Sequence, residues 1–397
     1  MKILLVHNFY QQPGGEDVVF RVEKELLTKN GHTVLSYTDH NDRVNQLSLL
    51  SKLSNTFYST STFNKISDIL ISEQPDIVHC HNTFPLISPS VYYACHAANI
   101  PVVQTLHNFR LKCLNALLFR ENRVCEDCLG KFMALKGIRH KCYRDSLAQS
   151  TVTALMLSGH KLVNTWKNKV DQYIALTEFA KQKFIESGLP EEKIVVKPNF
   201  IDDPISQHQL ENTGKPNQQF GFFVGRLSEE KGIRDLVAAH QQPNNIEIQV
   251  AGDGPLKTFL EDKQSEYIKY LGRLNKEQVI QKMQEAAYLI FPSTWYEGFP
   301  MVLVEALACG LPVIASKLGS MAEIIQDGYT GLHFTPGDAE DLAAKIRWAN
   351  EHPEEMAQMG RNARKEYEAK YTVERNYEML MGIYERVIER KKLKGKS

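Results

Sequence analysis

Two carboxylates, Glu297 and Glu305, stand with seven residues between them in the segment Ser293-Thr294-Trp295-Tyr296-Glu297-Gly298-Phe299-Pro300-Met301-Val302-Leu303-Val304-Glu305-Ala306. A strand pattern precedes this segment and an apolar helical pattern follows Pro300, so Glu297 falls in the connecting loop and Glu305 one to two turns into the helix. Two carboxylates at different depths of one cleft would accept hydrogen bonds from two sets of sugar hydroxyls. A surface ion pair is a poor account of Glu305, because that carboxylate is embedded in the apolar run Met301 to Ala308. The loop amides of the stretch Phe299, Pro300, Met301 and Val302 sit at a helix N-terminus, where free N–H groups bind phosphate oxygens.

Cations with the matching chemistry occur in Phe223-Val224-Gly225-Arg226-Leu227-Ser228-Glu229-Glu230-Lys231-Gly232, where Arg226 and Lys231 flank the turn between a strand and a helix. Positive charge at the carboxyl end of a parallel strand suits a diphosphate. An isolated Arg or Lys is ordinarily a solvated surface charge, so the weight comes from the loop position and the carboxylate pair that follows. A second anion-binding turn opens the chain, Gln12-Pro13-Gly14-Gly15-Glu16, leading straight into a helical pattern. Gly14 and Gly15 allow positive φ and close approach of a phosphate, although a Gly-Gly turn alone reads equally as a structural connection. His107 follows the strand Val102 to Leu106, at the end of a parallel strand where such folds place their sites. His7, His79 and His81 also lie near strand ends and are weaker candidates.

Four of seven cysteines fall in one segment: Cys113, eleven residues, Cys125, two residues, Cys128, thirteen residues, Cys142. A Cys-x2-Cys knuckle with two flanking cysteines is the spacing of a closed structural zinc site, with His140 as a substitute ligand. Free or redox-active thiols and disulfides are the alternatives. A catalytic zinc is disfavoured, since four thiolates leave no open position. From His107 to Arg144 there are nine Lys/Arg against three Asp/Glu. This is either a solvated basic loop or a surface for a phosphate-bearing acceptor, such as a polyisoprenyl diphosphate at an anionic membrane, helped by the apolar helical stretch Leu147 to Trp166.

These residues need a scaffold, and 397 residues are too many for one ordinary core. Hydrophobic residues at 43% and charged residues at 24% exclude disordered, collagenous and disulfide-scaffold classes. Lys and Arg total 47, as do Asp and Glu, so any anion site is local and a wholly nucleic-acid-gripping surface is excluded. Apolar, β-branched runs alternate with amphipathic stretches, the pattern of βα units around parallel sheets. Strands are expected at Lys2 to Val6, His32 to Tyr37, Asp76 to Cys80, Val102 to Leu106, Tyr173 to Leu176 and Ile194 to Val196. A second series runs Phe220 to Val224, Ile246 to Ala251, Tyr267 to Leu271, Ala287 to Phe291, Pro312 to Ala315 and Gly331 to Phe334. The polar stretch Asp202 to Gln219 separates the two series. The expected organisation is an α/β protein with domain 1–200 carrying the Cys-rich insertion 113–142, domain 201–372, and a final helix at 373–397 whose basic end complements its dipole. Two doubly wound domains would place the site in a cleft between them. No apolar run reaches the roughly 18 residues of a membrane span, and Ile3 to Val6 reads as a buried strand rather than a signal peptide, so a cytoplasmic protein is expected, with peripheral contact at the inner face of the cell membrane as an option.

With these motifs assembled, the chain resembles the family 4 retaining glycosyltransferases of the GT-B fold. The resemblance rests on Gly14-Gly15, on Gly225-Arg226-Leu227 with Lys231-Gly232, on the Glu297 and Glu305 pair, and on Ala308-Cys309-Gly310-Leu311-Pro312-Val313-Ile314-Ala315, and it spans nearly the whole chain. It implies two Rossmann-like domains and transfer of a sugar from a nucleotide diphosphate sugar, UDP- or GDP-linked, to a glycan or lipid-linked acceptor in surface polysaccharide synthesis. It also implies roles: Arg226 and Lys231 neutralise the donor diphosphate, Glu305 holds the ribose, Glu297 holds the transferred sugar, Gly15 offers its amide to phosphate, and His107 lies near the donor sugar. The final helix would cross back onto the N-terminal domain, and no catalytic metal is expected. Competing readings are a sugar-nucleotide epimerase of similar architecture and a zinc-dependent nucleic-acid-binding protein; the zero net charge and the carboxylate pair argue against the latter.

Overall fold

Buried Val-, Ile- and Leu-rich runs form the strands, and the computed structural model, which describes residues 1–11, 14–46, 54–205, 220–240 and 246–394, arranges them in two six-stranded parallel sheets. Gln12, Pro13, the linker stretch 206–219 and the basic terminal Lys396 lie outside the described residues. The chain divides into two units: Met1–Leu117, Glu126–Pro198 and Asn376–Ser397 form the first, Leu118–Cys125 and Asn199–Arg375 the second.

In the first unit the strands are β1 (Lys2–Phe9), β2 (Thr33–His40), β3 (Ile77–Asn82) and β4 (Val102–Leu106). After a short antiparallel hairpin, β5 (Phe119–Arg120) and β6 (Arg123–Val124), come β7 (Gln172–Ala175) and β8 (Ile194–Val196). The sheet order is β2-β1-β3-β4-β7-β8. The chain winds outward from β1 to β2 and then restarts on the other side at β3, so the direction of winding reverses between β1 and β3. Ligand crevices open at the carboxyl ends of strands flanking such a reversal. Helix α1 (Gly15–Lys29) starts at that edge, directly after β1. Its first turn is locked reciprocally: the Gly14 amide donates to Asp17 Oδ2 at 2.8 Å and the Asp17 amide donates to the Gly14 carbonyl at 3.1 Å.

Helices α2 (Thr60–Glu73), α3 (Ser90–Ala97), α4 (Leu135–Arg139), α5 (Leu147–Leu162), α6 (Thr165–Asn168) and α7 (Glu178–Glu186) complete this unit's chain-order series. The apolar stretch 147–166 forms two helices rather than one, because Asn164 adopts a left-handed conformation with φ 54°. Strand β1 runs to Phe9, three residues beyond its expected end at Val6. His7 and Asn8 continue it with no exposed surface, since His7 pairs with Asp17 and Asn8 with Asn41.

The second unit repeats the scheme with β9 (Phe220–Val224), β10 (Glu247–Ala251), β11 (Ile268–Gly272), β12 (Tyr288–Phe291), β13 (Val313–Ser316) and β14 (Gly331–Phe334), ordered β11-β10-β9-β12-β13-β14. Its winding reverses between β9 and β12. The intervening helices are α8 (Ile233–His240), α9 (Lys257–Glu261), α10 (Lys276–Glu285), α11 (Met301–Ala308), α12 (Gly319–Ile324), α13 (Ala339–Glu351) and α14 (Pro353–Lys370). Two apolar clusters fill the two faces of this sheet, one around Leu303, Leu307 and Val313, the other around Leu236, Ile290 and Leu342. The last helix, α15 (Val373–Lys394), sets Leu380, Ile383, Tyr384 and Val387 against Ile3, Leu5, Ile77 and Val103 of the first sheet. Among the described residues, no helix is long and apolar enough to cross a membrane.

Candidate functional site

The winding reversal of the second sheet brings the loop after β9 beside the loop after β12. The first carries Arg226 and Lys231, the second Ser293, Trp295 and Glu297. Three donors converge on one oxygen of Glu297: Lys231 Nζ at 2.6 Å, Ser293 Oγ at 2.7 Å and Trp295 Nε1 at 2.9 Å, all onto Oε1. Glu297 is only 6% exposed, so its charge is compensated by the ammonium and oriented by two neutral donors. Lys231 lies over the rings of Phe291 and Trp295, 5.6 and 5.5 Å from their centroids, which fixes its stem and leaves two further N–H donors for a ligand. Gly232 closes the turn with φ 71°, and a Cβ there would sit 2.0 Å from the Pro292 carbonyl oxygen. The Lys231 turn and the strand leading to Ser293 therefore touch through backbone. Arg226 is exposed on the same loop.

Helix α11 starts at Pro300 without a side-chain cap. Pro300 has no N–H, so of the four residues expected to bind phosphate here only Phe299, Met301 and Val302 carry amides. Glu305 is half-buried one turn along, and burial raises its carboxyl above the ordinary range, opposed by Lys276.

The first unit gathers a different set. Gly14 is extended, with φ −113° and ψ 177°, and neither it nor Gly15 adopts the positive φ that the pair was expected to exploit. The Gly14 amide is engaged by Asp17, which leaves Gly15, at the first helical position, as the residue of the pair to meet an anion. A Cβ on Gly15 would meet no atom within 4 Å, so what this glycine provides is open space above the helix start.

Beneath that turn lies a buried polar network. His107 Nε2 lies 3.0 Å from His81 Nδ1, and His81 Nε2 lies 3.2 Å from Glu23 Oε1, without the alignment of a hydrogen bond. His79 Nδ1 lies 3.0 Å from the same carboxylate oxygen, and Lys197 Nζ is 3.2 Å from the other. Burial works against ionisation of Glu23, but Lys197 and then His79 and His81 outweigh it and hold the carboxyl well below the usual range. Burial lowers both imidazoles, His81 to about 4 and His107 well below 6.5, so both are neutral at neutral pH. Glu23, His79 and His81 bring their ligand atoms within 4.8 Å of one another, as a metal triad would. They do not fit a cation: Lys197 already compensates the carboxylate, and both His79 nitrogens are taken, by Tyr384 Oη and Thr105 Oγ1 at 2.7 Å each. His107 also borders a concavity with His81, Thr83, Phe84 and Arg110, within the first unit.

Several residues in these constellations carry no expectation from the sequence. Glu16, next to the glycine pair, has its carboxyl raised to about 7 by burial and receives a hydrogen bond from Asn108 Nδ2 at 3.1 Å. Ser293 and Trp295 stand in the Glu297 segment itself. Glu23 sits in the buried stripe Val19, Phe20, Leu26 and Leu27 of α1, and that stripe was the signal available for it. The four clustered cysteines are half-buried and none forms a disulfide, whereas Cys80, Cys95 and Cys309 are buried.

Comparison with known proteins accounts for both units. A family model described as Glycosyltransferase Family 4 matches residues 13–203, and one described as Glycosyl transferases group 1 matches residues 206–366. An uncharacterized glycosyltransferase of Methanocaldococcus jannaschii is 25% identical, covering 97% of this chain and 98% of its own. The gpi3 subunit of the phosphatidylinositol N-acetylglucosaminyltransferase of Schizosaccharomyces pombe is 26% identical over 84% of this chain and 69% of its own. In fold, the Anabaena protein HepE, crystallised with UDP, superposes with a TM-score of 0.69 at 20% identity, over 97% of this chain and all of that one. Two winding-reversal sites on two parallel sheets, one under each of these matches, make the architecture GT-B, and the chain belongs to the family 4-like, group 1 glycosyltransferases.

Proposed function

We propose that the chain transfers a hexosyl or hexosaminyl group, with retention of configuration, from a UDP- or GDP-sugar to a glycan or polyisoprenyl-diphosphate-linked acceptor in surface polysaccharide synthesis. The observation that carries this reading is the convergence of Lys231, Ser293 and Trp295 on Glu297 at the carboxyl edge of the second sheet. A buried carboxylate held through one oxygen by three donors keeps its other oxygen as an acceptor suited to sugar hydroxyls, and the remaining N–H groups of the lysine that fixes it suit a diphosphate. HepE, which shares the fold, has been crystallised with UDP and with UDP-glucose, which supports a nucleotide-sugar donor.

In the reaction the bond from the anomeric carbon to the phosphate oxygen breaks and its electron pair leaves on the nucleoside diphosphate. Lys231, Arg226 and the amides of Met301 and Val302 stabilise that charge. Glu305 holds the ribose. The acceptor hydroxyl oxygen bonds to the anomeric carbon from the same face, and its proton passes to the departing phosphate oxygen, while neutral His107 accepts a hydrogen bond from the sugar. These fixed charges do the work for which other transferases use a metal ion.

Calorimetric binding of a nucleotide diphosphate sugar panel to the purified chain, with Arg226→Ala and Glu305→Ala as controls, tests the reading. Selective binding lost in both variants supports it, and the anomeric configuration of the product, read by NMR with the donor so identified, tests retention. No binding by any donor, or isomerised donor formed without acceptor, overturns it.

A further inference from the structure

We infer that the outer stripe of α5 and the Lys131-Phe132 turn beside it form a docking surface for an anionic lipid bilayer, its apolar side chains entering the interface and its unpaired lysines meeting lipid phosphates. The polarity of this helix is inverted. Four of its seven buried residues, Ser150, Thr153, Ser158 and His160, are polar. Each is satisfied within the first unit. Ser150 Oγ accepts the Tyr143 amide at 2.9 Å, Thr153 Oγ1 donates to the Gln149 carbonyl at 2.9 Å and Ser158 Oγ donates to the Phe132 carbonyl at 3.1 Å. His160 bridges Thr165 Oγ1 and the Phe57 carbonyl at 2.9 and 2.8 Å. The opposite stripe, Ala148, Val152, Leu155, Gly159 and Leu162, recurs at three- and four-residue spacing and carries no polar side chain. A helix whose partner is only its own unit shows the reverse pattern.

Exposed apolar side chains are concentrated here. Of thirteen large hydrophobic residues exposed among the described residues, six fall between Phe132 and Val163. Phe132, Leu155 and Leu162 are 56, 45 and 69% exposed. Printed contacts set Phe132 beside the stripe: Ser158 bonds its carbonyl, and Lys161 Nζ donates to the Lys131 carbonyl at 3.0 Å while lying 6.0 Å from the Phe132 ring centroid. Protruding tips suit a soft apolar phase, into which they sink, better than a rigid protein face, which would need matching hollows. With 16 residues α5 is short of a membrane span, so it lies on the surface instead of crossing.

Charge selects an anionic surface. Between Ser146 and Val170 the chain has three lysines and no Asp or Glu. Lys112, Lys131 and Lys161 line one concavity with Phe132, Leu157 and Trp166, and among the described residues none of the three pairs with a carboxylate. The neighbouring acids are engaged elsewhere, Glu126 by Lys183 at 2.9 Å and Asp127 by Lys136 at 3.1 Å. Burial, and then the charges of Lys161 and Lys167, lower the Lys112 ammonium to about 8. These ammoniums repel one another, and a phosphate placed among them relieves the repulsion. Apolar tips beside uncompensated lysines match the two layers of a bilayer surface, the acyl boundary and the anionic headgroups.

Flotation of the purified full-length chain with vesicles, in the absence of donor and acceptor, tests the surface. The expected result is binding to vesicles of phosphatidylglycerol and phosphatidylcholine in equal parts, weakened about tenfold or more on phosphatidylcholine alone and in about 1 M salt, where the screening length is about 3 Å. Phe132→Ser with Leu162→Ser, and separately Lys161→Glu with Lys167→Glu, should each lower the partition coefficient about tenfold or more. Lys29→Glu with Lys365→Glu, the same charge reversal at exposed positions elsewhere, should change it far less. Should a variant fail to fold, the salt and lipid dependence of the unaltered chain decides. No binding to anionic vesicles at low salt overturns the inference, as does binding that ignores salt and lipid charge, that survives both variants, or that the control pair removes as well. Self-association abolished by Phe132→Ser with Leu162→Ser, without vesicle binding, makes the patch an interface between copies of the chain and overturns it too. The inference goes beyond the glycosyl-transfer reading, whose own test is donor binding, so the two fail separately.

Discussion

His81 and His107 face each other as stacked rings with Nδ1 of one 3.0 Å from Nε2 of the other. Because Glu23 lies beside Nε2 of His81, the proton of that ring is favoured there, leaving its Nδ1 as the acceptor. His107 then carries its proton on Nε2 and turns Nδ1 outward as a lone-pair acceptor. His107→Ala should lower kcat/KM by about 100-fold, within the range of a positioned polar group at a reacting sugar. His81→Ala, which leaves His107 present but free to rotate and change tautomer, should cost about tenfold, chiefly in kcat. Initial rates at varied donor concentration check both, and normal kinetics in His107→Ala would remove this residue from the mechanism.

The same burial makes a prediction about acid stability. In the folded chain the His81 and His107 imidazoles titrate below their unfolded value of about 6.5, so the unfolded chain binds more protons and stability falls as pH drops below that value, by about 1.4 kcal/mol per pH unit for each ring. Glu16 acts in the opposite sense: its folded value of about 7 lies above the unfolded one, so its contribution is present at low pH and is lost as pH rises toward 7. His32, His96, His160, His240 and His333 are lowered by burial as well and add to the two rings, so stability rises with pH between 5 and 6 despite Glu16. Glu16→Gln should steepen that slope by about 1.4 kcal/mol per pH unit. Urea midpoints at closely spaced pH values read it directly, and a slope unchanged by the substitution would contradict the placement of Glu16.

How far the sequence revealed this molecule depended on whether the cause was local. Strands such as Val102–Leu106 and Phe220–Val224 begin and end where expected, since a strand buried on both faces is a continuous apolar run bounded by polar residues. Strand β1 overran its expected end because the polarity of His7 and Asn8 is satisfied by Asp17 and Asn41, partners that no pattern within the strand reveals. Glu305 stood out as a carboxylate in an apolar helix. Glu23 sends the same signal within α1, yet its main counter-charge, Lys197, is 174 positions away, and only the folded chain explains why a buried carboxylate is tolerated there. The glycine pair after β1 was legible as a turn, but its conformation was not: Gly14 is extended and held by Asp17.

Lys231 and Glu297 should behave as a coupled pair. Lys231→Ala leaves a nearly buried carboxylate without its ammonium, a loss of about 3 kcal/mol, whereas Lys231→Ala combined with Glu297→Gln removes the orphaned charge and should recover roughly half of it. On the proposed reading, Lys231→Ala and Glu297→Gln should each lose donor binding, the first for want of a diphosphate cation and the second for want of a sugar acceptor. Thermal or denaturant unfolding of the four members of the cycle measures the coupling. Additive losses would mean that the two groups are held in place independently.

Gly232 offers a way to disturb the donor loop without touching any group that meets substrate. A methyl at this position would collide with the Pro292 carbonyl at 2.0 Å while its residue was held at φ 71°, so Gly232→Ala has to displace either the turn that carries Lys231 or the strand end that leads to Ser293. Backbone cannot yield as the tip of a side chain can, and the cost should exceed about 2 kcal/mol. Because the displaced turn is the one that sets Lys231 on Glu297 Oε1, donor affinity should fall by at least tenfold even at temperatures where the variant is fully folded. Calorimetric donor titration well below the unfolding midpoint separates the two effects. A variant that is destabilised but binds donor normally would show that the position of Lys231 is not set through the contact between Gly232 and Pro292.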